Sequence, residues 1–145
     1  MTASVTETLP VLSPDTIATL VKDLSLPPPI AIEPLHVTAA FHSIYLVRFA
    51  GDAAPSIPTS TCGKADSGGD DDGGGGGEVT LVLRVSGRDI PRAKTANEVA
   101  VLRWLAARTA IPVPTVVRYD ASTDNALGRE FTLLERVPGA SVDKI

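Results

Sequence analysis

The sequence predicts an α+β protein in which a five-stranded antiparallel sheet packs against one helix. Residues 79–85 are β-branched and aliphatic apart from one arginine, and Ser86-Gly87 follows them, as expected for a strand of a sheet. Residues 94–108 follow as a predicted helix. One face of that helix, at spacing i, i+3, i+4 and i+7, is formed by Glu98, Val101, Leu102 and Leu105.

Two charged residues interrupt these apolar patterns. Glu98 lies in register with the apolar stripe of the helix, and Arg84 lies within the apolar strand. Burying either charge alone would cost several kcal/mol or change its protonation state. We therefore expect Arg84 and Glu98 to form an ion pair between adjacent elements. Taken alone, such a pair suits a structural role as well as a role in binding.

An N-terminal helix precedes the sheet. Ser13, Pro14 and Asp15 supply a capping hydroxyl, a proline at the first helical position and an acid in the first turn. Apolar residues at helical spacing continue to about Leu26, before three consecutive prolines. We expect an amphipathic helix that docks on the domain after it. The predicted division is a helix and proline-rich linker at 1–29 and the sheet domain at 30–145.

Four further strands complete the predicted sheet, at 30–38, 41–49, 115–119 and 130–137. The first two would pair through a turn at 38–40. The last two would be joined by a polar turn in which Asp120 and Asp124 bond nearby backbone N–H groups. Every connection except the helical one joins antiparallel neighbours.

Residues 51–77 are predicted to be a disordered insert, because their glycine and aspartate content cannot offset the entropy of ordering. A phosphate-binding loop is disfavoured, since Gly63-Lys64-Ala65 lacks the hydroxyl residue and the following helix. A metal site built from the three aspartates at 70–72 is also disfavoured relative to an inserted loop.

Charge and cysteine content exclude several functions. The insert holds five aspartates and one lysine, so it alone carries the formal net charge of −4. The balanced remainder gives no basic field for nucleic acid and no polybasic membrane anchor. No apolar run reaches the ~18 residues of a membrane span, and no secretory signal is present. With Cys62 as the single cysteine, the expected location is the reducing cytoplasm.

The chain resembles the amino-terminal lobe of the aminoglycoside phosphotransferase family, which are small-molecule kinases with a protein-kinase-like fold. The resemblance covers roughly residues 33–142 and rests on order and spacing. The segments that carry it are 81–85, 97–105, 111–116, 124–128 and 133–139.

The resemblance implies a role for each residue at a matching position. Arg84 would contact the nucleotide phosphates and Glu98 would hold it in place, while Val82 and Leu134 would be walls of the adenine pocket. The strand residues 133–137, including Glu135 and Val137, would be the hinge whose backbone meets the adenine edge. Ser43, beside the nucleotide-covering turn, is a further candidate for cofactor binding.

The implied function is ATP-dependent phosphoryl transfer to a hydroxyl or amine of an unidentified small molecule, with Mg²⁺ bound only with the second lobe. Two features depart from the family pattern. The covering turn at 38–43 lacks glycine, and neither His36 nor His42 is followed by the Gly-Asp of the family's catalytic segment. The expectation is therefore a truncated lobe with no catalytic or metal-binding residue, inactive alone. The alternatives are a non-catalytic binding or scaffold protein and an inactive folded remnant.

Other residues have simpler predicted roles. Trp104 is expected to pack in the core or at the helix edge, and Glu135 to direct its side chain to solvent. His42 fits a surface position on a strand better than a phosphate-contacting one.

Overall fold

The computed structural model describes residues 11–35, 42–58, 77–87 and 92–139. The predicted turn at 38–40 and most of the predicted insert lie outside this part of the chain. In chain order the elements are helix α1 (Pro14–Asp23), strands β1 (Ala31–Leu35) and β2 (His42–Phe49), a 3-10 helix (Gly51–Ser56), β3 (Val79–Ser86), α2 (Arg92–Arg108), β4 (Val116–Asp120) and β5 (Phe131–Glu135).

The five strands form one antiparallel sheet with the order β1-β2-β3-β5-β4, which confirms the predicted fold class. Strand β3 is central and continues the apolar run seen in the sequence. Strands β1 and β4 are the edges. Pro34 lies on β1, where a missing backbone N–H is tolerated because an edge strand pairs on one side only.

Helix α1 covers one face of this sheet. Its N-cap is Ser13, whose Oγ accepts a hydrogen bond from the backbone N–H of Thr16 at 3.2 Å, as the sequence predicts. Ile17, Leu20 and Val21 are almost fully buried. They belong to the same apolar core as residues of β2 and β3, namely Tyr45, Val47, Phe49, Leu81, Leu83 and Val85. Burial of each such side chain stabilises the fold by about 1.5–3 kcal/mol. The N-terminal helix is thus part of the core.

The prediction that residues 51–77 are disordered throughout is wrong for their first part. Residues 51–56 form a 3-10 helix, and Ile57 directly after it is buried in the core against α1 and the sheet. A single apolar residue within a glycine-rich and proline-rich composition was a weak signal, yet its burial orders the segment up to Pro58.

Helix α2 lies close to β4 and β5, but the apolar stripe predicted for it is partly wrong. Val101 is 55% exposed, whereas Val99 is buried. Trp104 is 61% exposed, so a core position for its ring is also wrong. Thr95 and Val99 lie at i and i+4 and are both buried, which makes the sheet-facing stripe of α2 partly polar. Periodicity counted on apolar residues alone therefore includes an exposed valine and misses the buried threonine.

The turn between β4 and β5 is organised by Asn125. Its Nδ2 donates to Asp120 Oδ2 and to the carbonyls of Ser122 and Arg129, and its Oδ1 accepts from the N–H of Leu127. The backbone N–H of Ser122 donates to Asp120 Oδ1 at 2.8 Å, which confirms Asp120 as a turn former. Asp124 enters the turn through its own N–H, which donates to Ser122 Oγ.

Candidate functional site

Strand alternation gives the sheet two chemically different faces. The face under α1 is apolar. The other face, here called the α2 face, carries a half-buried arginine among apolar and hydroxyl side chains. On the α2 face, directly paired residues of β2, β3 and β5 form rows across the sheet. Two of these rows are Ile44–Arg84–Thr132 and Leu46–Val82–Leu134.

The structure contains the predicted ion pair on this face. Arg84 Nη1 lies 3.6 Å from Glu98 Oε2, and the two side chains are 30% and 34% exposed. A pair with this exposure contributes at most about 1 kcal/mol to stability, because water screens both charges. Its structural value is therefore small. Its chemical consequence is a guanidinium held at a defined place and still open to a second anion.

Two further basic side chains lie near Arg84. His42 begins β2 opposite Ser86, and Lys94 is in the first turn of α2. Burial is the main cause that lowers the pKa of His42, followed by the positive charges of Arg84 and Lys94, while Glu98 acts in the opposite direction. Arg84 and Lys94 thus both lie within electrostatic reach of His42 at one end of β3.

Polar residues that sequence reasoning missed are buried between α2 and the sheet: Ser86, Thr95, Glu130 and Thr132. Thr95 Oγ1 donates to Glu130 Oε2 at 3.4 Å, and the backbone N–H of Ser86 donates to the carbonyl of Glu130 at 2.9 Å. Glu130 Oε1 is buried without a hydrogen-bond partner among the described residues. The available signals were Thr132 inside an apolar strand and Thr95 one turn before Glu98. Both signals are weak unless it is already known which side of α2 packs against the sheet.

Val82 and Leu134, the predicted adenine walls, lie side by side next to the ion pair. They are directly paired across β3 and β5, and Val82 is two residues before Arg84 on the same face. Val82 is half-buried and Leu134 is buried. An apolar strip thus lies beside the paired cation on one face of the sheet.

The side chains of the other predicted site residues are not placed beside Arg84. Ser43 pairs with Val85, a core residue, which puts it on the face opposite Arg84. Glu135 is buried and accepts a hydrogen bond from the N–H of Thr115 at 3.3 Å, so the prediction that it faces solvent is wrong. The physical reason is that the neighbouring loop brings a backbone donor to its carboxylate. Val137 lies beyond β5 and is exposed.

Within the described ranges, no group of three or more His, Cys, Asp or Glu side chains is arranged to hold a metal ion. The described helices are also too short or too polar to cross a bilayer.

An antiparallel sheet with a helix carboxylate paired to a basic residue on its central strand defines an α+β fold of the type seen in the amino-terminal lobe of kinases. The family model described as "Phosphotransferase enzyme family" matches residues 69–144, so the chain belongs to that family. This confirms the resemblance drawn from the sequence.

Curated relatives add little to this assignment. The chain is 44% identical over 48 residues to subtelomeric hrmA-associated cluster proteins from two strains of Aspergillus fumigatus. The match covers 33% of this chain and 9% of each relative. No solved structure matches the chain.

Proposed function

We propose that this chain is the nucleotide-binding lobe of an ATP-dependent small-molecule phosphotransferase. In this proposal Arg84 contacts the phosphates of ATP and Glu98 positions the guanidinium. The observation that carries the proposal is the Arg84–Glu98 pair on the sheet face that also holds Val82 and Leu134. Membership of the phosphotransferase family supports the class of reaction.

The charge arrangement suits phosphate binding. Phosphoryl transfer depends on positioning and charge stabilisation, so a cation must already be in place when the nucleotide arrives. The ion pair joins Nη1 of the guanidinium to Oε2 of Glu98 at 3.6 Å. Because guanidinium is a planar fork with five N–H donors, it can bind Glu98 at one edge and phosphate oxygens at another.

The adenine ring would lie against the apolar strip formed by Val82 and Leu134. The backbone N–H groups of Glu135 and Arg136 already donate hydrogen bonds within the protein, to the carbonyls of Thr115 and Thr80 respectively. We therefore propose that the edge of the adenine ring contacts the backbone just beyond β5, at the exposed residue Val137.

The proposal covers nucleotide binding in this lobe. A hydroxyl or amine of an unidentified small molecule would be the acceptor, and Mg²⁺ would accompany the triphosphate. We assign the metal-binding carboxylates, the catalytic base and the acceptor site to the family's second lobe, and the reaction to the cytoplasm, where ATP is available. Neither His36 nor His42 is followed by the Gly-Asp of the family's catalytic segment.

The test is MgATP affinity of the 145-residue chain, measured by isothermal titration calorimetry, with Arg84→Ala as the variant. Loss of a charge-assisted contact worth about 1.5–3 kcal/mol predicts affinity at least tenfold lower. Lys22→Gln is the matched control, because it removes one positive charge from the exposed last turn of α1 and should leave the affinity unchanged.

Two results would contradict the proposal. One is the absence of MgATP binding by the unchanged chain. The other is equal MgATP affinity in Arg84→Ala and Lys22→Gln, with circular dichroism showing both variants folded.

A further inference from the structure

His42 is the first residue of β2, and its position relates it directly to Arg84. It pairs with Ser86 on β3, and the next row on the same face pairs Ile44 with Arg84. Alternation therefore puts His42 and Arg84 on the α2 face as diagonal neighbours, a separation that long side chains span. The imidazole is half-buried, so it is neither a free surface group nor a core residue.

Lys94 approaches the same place from the helix. It lies in the first turn of α2, one turn before Glu98, so the two side chains share a helix edge. Its charge acts on His42 together with that of Arg84. Lys94 also takes part in at least one interaction within the protein. The β2, β3 and α2 elements thus each direct one basic side chain toward the end of β3.

Among the described residues, the charged groups that act on His42 come from β3 and α2. Arg84 comes from β3, and Lys94 and Glu98 come from α2. Glu130, which precedes β5, is buried behind Ser86 and bonded to Thr95. Glu98 is already paired with Arg84, and Glu130 is screened from solvent by its burial. Among the charged groups that act on His42, two are cations and one is an anion, so the balance of charge beside the imidazole is positive and suits a polyanion.

We infer that His42 contacts the phosphates of the bound nucleotide beside Arg84 and Lys94, and that it takes up a proton when the nucleotide binds. This inference rests on the proposed function and specifies its phosphate-binding side. It replaces the prediction from the sequence that His42 is a surface residue of a strand.

The electrostatics give the sign of the effect. In the protein alone, burial and then the charges of Arg84 and Lys94 lower the pKa of His42, so its imidazole is neutral at pH 7. Phosphate oxygens in contact with the ring would favour the imidazolium and raise that pKa. Between the free and bound pKa values, binding takes up a proton. Affinity therefore rises as the pH falls, by at most about tenfold per pH unit for one proton.

The experiment is calorimetric titration of the full chain with MgATP at pH 6.5 in two buffers that differ in ionisation enthalpy. The difference in apparent binding enthalpy gives the number of protons taken up. The unchanged chain should take up a fraction of a proton, approaching one. His42→Gln should lose most of that uptake and bind MgATP about tenfold more weakly, since a charge-assisted contact is removed. Adenosine, which has no phosphates, should bind the unchanged chain without proton uptake.

The outcomes separate this inference from the proposed function. If Arg84→Ala weakens MgATP binding but His42→Gln changes neither affinity nor proton uptake, the inference is overturned and the proposed function stands. Equal proton uptake with adenosine and MgATP would also overturn it, because the proton would then respond to something other than phosphate. If the unchanged chain does not bind MgATP, both fail.

Discussion

At the scale of single residues, Asp120 shows how a polar turn is stabilised. Burial alone would raise the pKa of its carboxyl group, but hydrogen bonds from Ser122 and Asn125 outweigh it and lower the pKa. A carboxyl group with a lowered folded-state pKa stabilises the protein above its unfolded-state pKa of about 3.9. That contribution is lost as the pH falls through the folded-state value.

Replacing Asp120 with Asn tests this account. The substitution should reduce the free energy of unfolding by about 1 kcal/mol at pH 7, because an amide group replaces the oxygen that accepts from Asn125. The reduction should be smaller at pH 3, because this pH lies below the unfolded-state pKa and part of the charge-dependent stabilisation is already lost. Urea denaturation at both pH values measures the difference. Asp124→Asn, an exposed change in the same turn, is the control. A reduction of equal size at both pH values would show that the charge of Asp120 is not involved.

At the scale of elements, the two helices are held by different physics. Helix α1 buries Ile17, Leu20 and Val21 against an apolar sheet face. Helix α2 covers a face that holds buried hydroxyls, a buried carboxylate and a half-buried ion pair, and it adds one cation–π contact, Arg103 over the ring of Tyr119 at 5.0 Å. The first arrangement stabilises the fold, and the second positions charged groups.

This difference predicts unequal effects of side-chain truncation. Leu20→Ala should lower the free energy of unfolding by about 2–5 kcal/mol, because it removes a buried side chain and leaves a cavity. Trp104→Ala, a larger truncation at an exposed position of α2, should change it by about 0.5 kcal/mol or less. Urea denaturation followed by circular dichroism measures both. Similar unfolding midpoints for the two variants would refute the assignment of α1 to the core.

The same difference explains which elements the sequence could predict. Helix α1 begins with a local signal, Ser-Pro-Asp, and its apolar spacing directly marks the buried face, so both were predictable. In α2 the buried stripe includes Thr95, and an exposed Val101 mimics a core position. Only the sheet decides between the competing stripes of that helix, and long-range packing of this kind is absent from local periodicity.

At the scale of the whole molecule, the sheet separates an apolar, stabilising face from the face that carries the candidate site. One face is closed by α1 and the short segment around Ile57, and the other carries the fixed cation and an apolar strip. The Arg84–Glu98 pair was predictable, because a charge inside each of two apolar patterns needs a partner. Two other placements were not predictable from the sequence. The burial of Glu135 depends on the loop that returns from α2, and the position of Ser43 on the opposite face depends on strand register.

The central claim is that Arg84, positioned by Glu98, binds the phosphates of ATP. A crystal structure of the chain with a non-hydrolysable ATP analogue and Mg²⁺ tests it most directly. We expect phosphate oxygens within about 3.2 Å of the Arg84 guanidinium, with Glu98 still beside it and the adenine ring against Val82 and Leu134. A nucleotide bound elsewhere on the molecule, or bound here with Arg84 directed away from the phosphates, would contradict it.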